Sequence, residues 1–362
     1  MAEINTAPIE RYLRELAGHK GTDLHITAGA PPLLRIDGQM LPLGDPPLDA
    51  HSIDDLVRAM LPGDLWDRCE HDKEVDFAFD WAGAYRLRGN VFHTRNALAM
   101  ALRLIPYEIP SFADLGIPAT VTNWCDLFQG LVLVTGPTGS GKSTTLAAML
   151  DAINSRRRAH ILTLEDPIEY VHHHKLSMVN QRELGTDCES FARGLRSALR
   201  EDPDVVLVGE MRDPETIAAV LTIAETGHLV FSTLHTNDAG QSIDRIVDVF
   251  SAERQNQIRI QLAGSLVGIC SQRLVPRAGG GLVAAFEVLV ATYAVRNLIR
   301  DAKSGQMRNQ IATGASFGMS TLETALSDLV ARKIISWDDA LNHSMYPKEL
   351  APPPGMPAAA TR

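Results

Sequence analysis

Cysteine is scarce in this chain: four among 362 residues, at positions 69, 125, 188 and 270. No C-x-x-C pair or tight cluster occurs, which excludes a disulfide framework and a thiolate zinc site. The four read as buried thiols of a reducing compartment. Aromatic residues are few, at 6%, and no aromatic–basic groove for single-stranded nucleic acid is visible. An excess of positive charge is also missing. With 34 Lys+Arg against 44 Asp+Glu the net charge is −10 and the pI about 5.6, which disfavours a nucleic-acid translocase. The longest apolar stretch, residues 282–295, is broken by Glu287 and too short to span a bilayer. The N-terminal stretch MAEINTAPIERYLREL patterns as an amphipathic helix carrying acids, not as a signal peptide. A cytoplasmic protein without a nucleic-acid partner is expected.

What is present is sharper. LVLVTGPTGSGKSTT, residues 131–145, runs from an apolar strand through a glycine loop into a helix. Gly136, Gly141, Lys142 and Ser143 satisfy G-x-x-x-x-G-K-[ST]. Glycines at 136, 139 and 141 let successive N–H groups turn inward around an anion, and the helix that follows aims its positive end at it. The loop from Gly136 through Pro137, Thr138, Gly139, Ser140, Gly141, Lys142 and Ser143 to Thr144 is the candidate nucleotide cradle. Lys142 is expected at the β/γ-phosphates and the Ser143 hydroxyl on Mg²⁺. ATP and Mg²⁺ are the expected cofactors.

Two acids follow apolar strands. In DPDVVLVGEMRD, residues 202–213, the run 205–208 ends in Gly209-Glu210, and core strands of such sheets deliver functional groups from their C-terminal ends. A glutamate there can polarise a water beside the γ-phosphate. The plainer alternative is an ion pair with Arg212 or Arg200. HILTLEDPIEYVHHHK ends a strand in Glu165, which can support the attacking water or the metal shell; loop organisation by Asp166 before Pro167 is its rival. His172, His173 and His174 are adjacent, so they read as an exposed loop and not a ligand set. His228 precedes a strand and His235 follows it; each is either a sensor of the γ-phosphate or a satisfied structural histidine. Upstream, Arg86, Arg88, Arg95 and Arg103 fall in strand-like segments. Arginines on a separate domain suit fingers that reach a neighbour's nucleotide, or simply a solvated strand face.

Three prolines in IPYEIPSFADLGIP mark a junction. Before it lies an α+β module: helices near 7–18 and 51–70, with strand-like DLHIT, LLRIDG, EVDFAFD, YRLRGNVFH and LAMALRLI. After it, strands at 131–135, 160–164, 204–209 and 229–234 alternate with helices, the rhythm of a parallel α/β sheet, followed by a helical region from about 239. The expected organisation is an N-terminal domain over 1–105, a linker over 106–118, an ATPase domain with C-terminal helices over 119–346, and a disordered Pro/Ala tail over 347–362.

Together these stretches resemble the PilT family, the retraction ATPases of type IV pili within the secretion-ATPase superfamily. GTDLHITAGAPPLLRIDG is similar to the family's opening, GPTGSGKSTT to its Walker A, and TLEDPIEYVHHHK to its Asp box around Glu165. REDPDVVLVGEMRD resembles its Walker B, with Glu210 as catalytic glutamate, and TGHLVFSTLHTNDA its His box. AVRNLIRD, residues 294–301, is similar to the retraction motif, and GMSTLETALSDLV to the segment after it. The resemblance implies a PAS-like N-terminal domain and a RecA-like P-loop domain, packed across subunits in a homohexamer, with Arg88 and Arg103 on the family's arginine positions. It implies an inner-membrane platform protein as partner, pilin as indirect partner, and a place at the cytoplasmic face of the inner membrane. Departures are Gly89 where the family usually has Val, His93-Thr94 in place of an amide-rich turn, Val295 for Ile and Asp301 for Glu. They leave an accessory retraction motor open. Extension or secretion ATPases of the superfamily usually carry an extra N-terminal domain and a four-cysteine zinc segment. Retention of Lys142, Ser143, Glu165 and Glu210 together argues against a nucleotide-binding scaffold with little turnover.

Overall fold

The computed structural model describes residues 4–36 and 39–352, in two compact units that divide between Glu108 and Ile109. In the first unit a helix, Glu10–Gly18, precedes strands β1 (Asp23–Thr27), β2 (Leu33–Ile36) and β3 (Gln39–Pro42). Helices Ala50–Met60 and Gly63–Asp72 follow, then β4 (Glu74–Trp81), β5 (Tyr85–Thr94) and β6 (Ala97–Pro106). The sheet runs β3-β2-β1-β6-β5-β4, with antiparallel neighbours throughout. Period-two alternation sends Leu24, Leu34, Leu87, Val91 and Leu102 to the face buried under Leu13, Leu16, Ile53 and Val57. One helix was expected over 51–70, and two are found. Pro62 splits them: the residue before a proline is driven out of the helical region, and Leu61 is extended at ψ 135°. Gly89 has a packing reason. A Cβ there would fall 2.2 Å from the Phe77 ring and 2.7 Å from Leu102, so the aromatic ring fills the space a Val would take.

On the opposite face of this sheet the register lines up charge. Asp23 pairs with Arg35 on one side and with Arg103 on the other, and Arg103 pairs with Arg88. Arg103 Nε donates to Asp23 Oδ1 at 2.8 Å, and Arg35 Nε lies 3.6 Å from Oδ2. One carboxylate thus sits in a row with three guanidinium groups.

The second unit begins with residues that were expected as linker. Ser111 and Asp114 form a capping box on the short helix Phe112–Leu115, and Ile109, Phe112 and Leu115 pack against the cluster that holds Trp124 and Val132. From 109 the junction is packed structure. Strands β7 (Gly130–Thr135), β8 (His160–Glu165), β9 (Met178–Glu183), β10 (Val205–Val208), β11 (Leu229–Leu234), β12 (Leu266–Pro276) and β13 (Leu282–Val290) form one sheet in the order β13-β12-β7-β11-β10-β8-β9. All neighbours are parallel except β13 on β12. Every residue of β7, β10 and β11 is buried, as expected where helices cover both faces. The region beyond 239 is not all helical: β12 and β13 form a long antiparallel pair, turned by Gly279, Gly280 and Gly281 at φ of 99°, 101° and 76°.

The first residues expected in the tail are packed structure. Pro347–Glu349 forms a 3₁₀ turn, Glu349 accepts from Arg308 at 2.5 Å, and Leu350 is buried with Leu322, Leu326 and Ile335. Residues 353–362 lie outside the described residues. Glu323, almost fully buried, accepts from Arg308, from the Ser344 hydroxyl and from the Met345 and Tyr346 amides. Burial opposes its charge, but these donors outweigh it and hold its carboxyl below the usual range.

Glu287 on β13 is the contrasting case. It accepts from the Ala239 amide at 3.0 Å, and burial pushes its carboxyl from 4.5 up to about 7 despite Arg308, with Asp238 and Glu323 adding to the rise. A raised folded-state value means that the native state binds the extra proton, so this group's contribution falls as pH climbs from about 4.5 to 7. The full effect is on the order of 3 kcal/mol. Gln keeps the acceptor for Ala239 and removes the titration. Urea midpoints of Glu287→Gln at pH 5 and pH 8 should therefore differ less than those of the native protein; equal differences would contradict the assignment.

Candidate active site

The C-terminal edge of the parallel sheet gathers the polar groups. After β7 the chain enters the loop at Gly136, with φ of 145°, 77° and 86° at Gly136, Gly139 and Gly141. A side chain at 136 would meet Gln272 O at 2.4 Å, so glycine is required there for close approach as well as conformation. The helix Lys142–Arg156 starts at the loop's end. Lys142 is buried, and its Nζ donates to the Gly136 and Pro137 carbonyls at 2.9 and 3.1 Å. The ammonium therefore lies inside the loop's curve. Burial lowers its pKa, against the pull of Glu210 and Glu169. Ser140 is buried, and its hydroxyl has no partner among the described residues. An orphaned hydroxyl in a glycine turn at the start of a helix is what an anion site offers.

Glu210 follows β10 through Gly209, whose carbonyl accepts from the Thr233 hydroxyl at 2.6 Å. Its carboxylate meets Arg212 Nη2 at 2.7 Å and His235 Nε2 at 3.3 Å. His235 also reaches the loop, with Nδ1 3.4 Å from Thr138 Oγ1. A chain of contacts thus runs from the carboxylate through the imidazole to the phosphate loop. The pairing with Arg212 is real, but Arg212 is 63% exposed, and exposed pairs contribute little to stability. Its effect is on charge: burial opposes the carboxylate, while Arg212 and His235 outweigh it and keep the pKa below normal.

Glu165, at the end of β8, has the opposite environment. It is buried, accepts from the Thr163 hydroxyl at 2.6 Å and from Gln181 Nε2 at 3.1 Å, and burial raises its pKa. Its carboxylate turns to these two side chains and not to Glu210's partners. Gln181 also donates to the Tyr170 carbonyl at 2.8 Å, and the Tyr170 hydroxyl lies 2.9 Å from that of Thr144. Glu165 is linked to the phosphate-loop helix through these residues.

His228 does not join the site. It sits before β11, with Nδ1 3.1 Å from both the Ile223 carbonyl and the Thr226 hydroxyl. Six strand residues separate it from His235, seven steps or about 23 Å at the rise of a strand. His172 is buried, not exposed as expected, and burial lowers its pKa to about 4; the Val179 amide donates to His174. Among the described residues no group of His, Cys, Asp and Glu could hold a metal by itself. Arg88 and Arg103 belong to the first unit's sheet, as described above. Sequence reasoning missed Tyr170, Gln181, Gln272 and Arg273. Arg273 Nη1 donates to the His343 carbonyl at 3.0 Å and Nη2 lies 3.4 Å from Asn237 Oδ1, beside a cleft of about 310 Å³ along Pro137, Thr138 and Gly139.

A family model for type II/IV secretion system proteins matches residues 4–285. The type IV pilus retraction ATPase PilT of Pseudomonas aeruginosa is 48% identical over 340 residues, 94% of this chain and 99% of that protein. The chain belongs to the PilT family. A twitching motility protein of Neisseria gonorrhoeae is 47% identical over 84% of this chain and 82% of its own length. A crystal structure of the pilus retraction motor PilT with bound ADP superposes with a TM-score of 0.88 at 48% identity, covering 94% of this chain and 98% of that one.

The PilT-family segment AVRNLIRD lies on the helix Tyr293–Arg300. Val295 and Ile299 are fully buried, so the exchange of Ile for Val trims a core contact. Arg296 points inward: it donates to the Ala291 carbonyl ahead of its own helix, and to the carbonyls of Ala263, Gly264 and Leu266 that end the helix Ala252–Ser265. Those carbonyls have no intrahelical donor of their own. Arg296→Ala should lower stability by about 2–4 kcal/mol, since several buried acceptors lose their partner. Arg300, exposed beside Tyr293, should tolerate Ala within about 0.5 kcal/mol. Chemical denaturation of the two variants checks this, and the reverse ranking would contradict it.

Proposed function

We propose that this chain hydrolyses ATP as a subunit of a hexameric ring that powers type IV pilus retraction. The observation that carries the reading is the contact chain Glu210–His235–Thr138, which ties an ionised carboxylate to the loop that would hold the phosphates. Lys142 would bind the β- and γ-phosphates, and Glu210 would orient the attacking water and take its proton. Bound through Ser143, Mg²⁺ would neutralise phosphate charge. Glu165, kept in its buried network, would position the loop helix through Gln181 and Tyr170. His235 touches both Glu210 and the loop, so it is placed to report loss of the γ-phosphate. Arg88 and Arg103 would act on a neighbouring subunit's nucleotide, where a planar guanidinium grips spreading phosphoryl charge.

Among the described residues no helix is long and apolar enough to cross a membrane, consistent with work at the cytoplasmic face of the inner membrane through a platform protein and, indirectly, on pilin. The PilT and twitching-motility relatives favour retraction over extension. An accessory retraction motor has the same site and is distinguished by the phenotype of a deletion strain.

Glu210→Gln should bind ATP and hydrolyse it at least roughly 10²-fold slower, the scale of one general base; Lys142→Ala should lose turnover with the fold intact. Full activity in either variant would sink the site. Mixing Arg103→Ala with Glu210→Gln subunits, after exchange is shown with labelled native subunits, should restore activity at interfaces that regain a complete site. A cis arrangement gives no rescue.

A further inference from the structure

The phosphate loop rests on a strand that carries none of the nucleotide motifs. Three consecutive residues of β12 each bond to a different part of the site. The Ser271 hydroxyl lies 2.8 Å from that of Thr135 at the end of β7, and Arg273 holds Asn237 after β11. Between them Gln272, 2% exposed, donates from Nε2 to the Ser140 carbonyl at 2.5 Å and accepts from the Thr145 hydroxyl at 2.9 Å. These two bonds bracket Gly141, Lys142, Ser143 and Thr144 on both sides.

We propose that Gln272 is a further positioning residue of the nucleotide site, which holds the loop at the width that receives the phosphates. The inference rests on the nucleotide-binding reading given above. An amide is the side chain that offers a donor and an acceptor on neighbouring atoms at this length. A carboxylate would set an acceptor against the Ser140 carbonyl, and a thioether would satisfy neither group. Both bonds are buried, so losing Gln272 leaves two polar groups without partners. The loop would relieve that by opening toward water. Its N–H groups would then have to be gathered again when the anion arrives, and binding would bear that cost. The backbone of Gln272 confines the loop from the other side, through its close approach to Gly136.

The test compares native protein with Gln272→Met, Gln272→Glu and Thr145→Val as full-length assemblies, reading the ATP KM and kcat, the ADP Kd and the melting temperature without nucleotide. Gln272→Met should raise KM about tenfold, the combined scale of two hydrogen bonds, with kcat within about twofold. The ADP Kd should rise by the same factor, because ADP uses the same loop. Thr145→Val should raise KM roughly threefold. Gln272→Glu should be worse than Gln272→Met although it matches the native shape. An unchanged KM with a lowered melting temperature would assign Gln272 to packing alone and overturn the proposal, as would a loss confined to kcat. If Gln272→Met does not fold, Thr145→Val decides: an unchanged KM overturns the proposal. Failure of the native protein to bind ADP or turn over ATP would instead sink the functional reading on which it rests.

Discussion

The ladder that holds β7 between β11 and β12 is the constraint on which the site depends. Its register places Thr135 opposite Leu234 on one side and Ser271 on the other. The next residue along each strand is then Gly136, His235 and Gln272, all at the same level of the sheet edge. A slip of one strand would carry His235 away from Thr138, or Gln272 away from Ser140. Apolar side chains on both faces of β7 make such slips costly. Core packing thereby fixes the polar geometry.

On that edge two glutamates stand at the ends of neighbouring strands with opposite electrostatics. Val208 lies opposite Leu164 in the ladder, so Glu165 follows β8's last apolar residue while Glu210 comes one step later, after Gly209. The extra step takes Glu210 toward Arg212 and His235, and these partners outweigh burial. Glu165 stays beneath the edge, where burial raises its pKa and neutral donors surround it. Environments that separate two carboxyls in this way suit them to different roles: the proposal gives Glu210 the water beside the loop and Glu165 the scaffold that carries it.

Much of this was legible in the chain. The phosphate loop announces itself because strand, glycines, lysine and hydroxyl must occur in fixed order, and Glu210 is found by its place after a buried strand. The side on which a histidine falls was also readable in principle: His228 precedes its strand, and only groups after a parallel strand reach this edge. What sequence could not show is pairing between distant segments. Gln272 is 132 positions from Ser140, and β12 carries no motif that marks it as the loop's floor. The hairpin of β12 and β13 was hidden because its apolar residues flank a helical stretch and read as its continuation. Likewise Arg296 sits in a segment read only for its likeness to the retraction motif, and its guanidinium is consumed by carbonyls of its own chain.

The central claim is that the sheet edge presents the phosphate loop and Glu210 as one site, already assembled by the fold. Determining the structure of the protein with Mg²⁺ and a non-hydrolysable ATP analogue tests it most directly. The account predicts the β- and γ-phosphates inside residues 136–143, with Lys142 on them, the metal ion on Ser143, and the Glu210 carboxylate facing the γ-phosphate across a single water. A nucleotide seated elsewhere, or a γ-phosphate faced by Glu165 with Glu210 turned away, would contradict it.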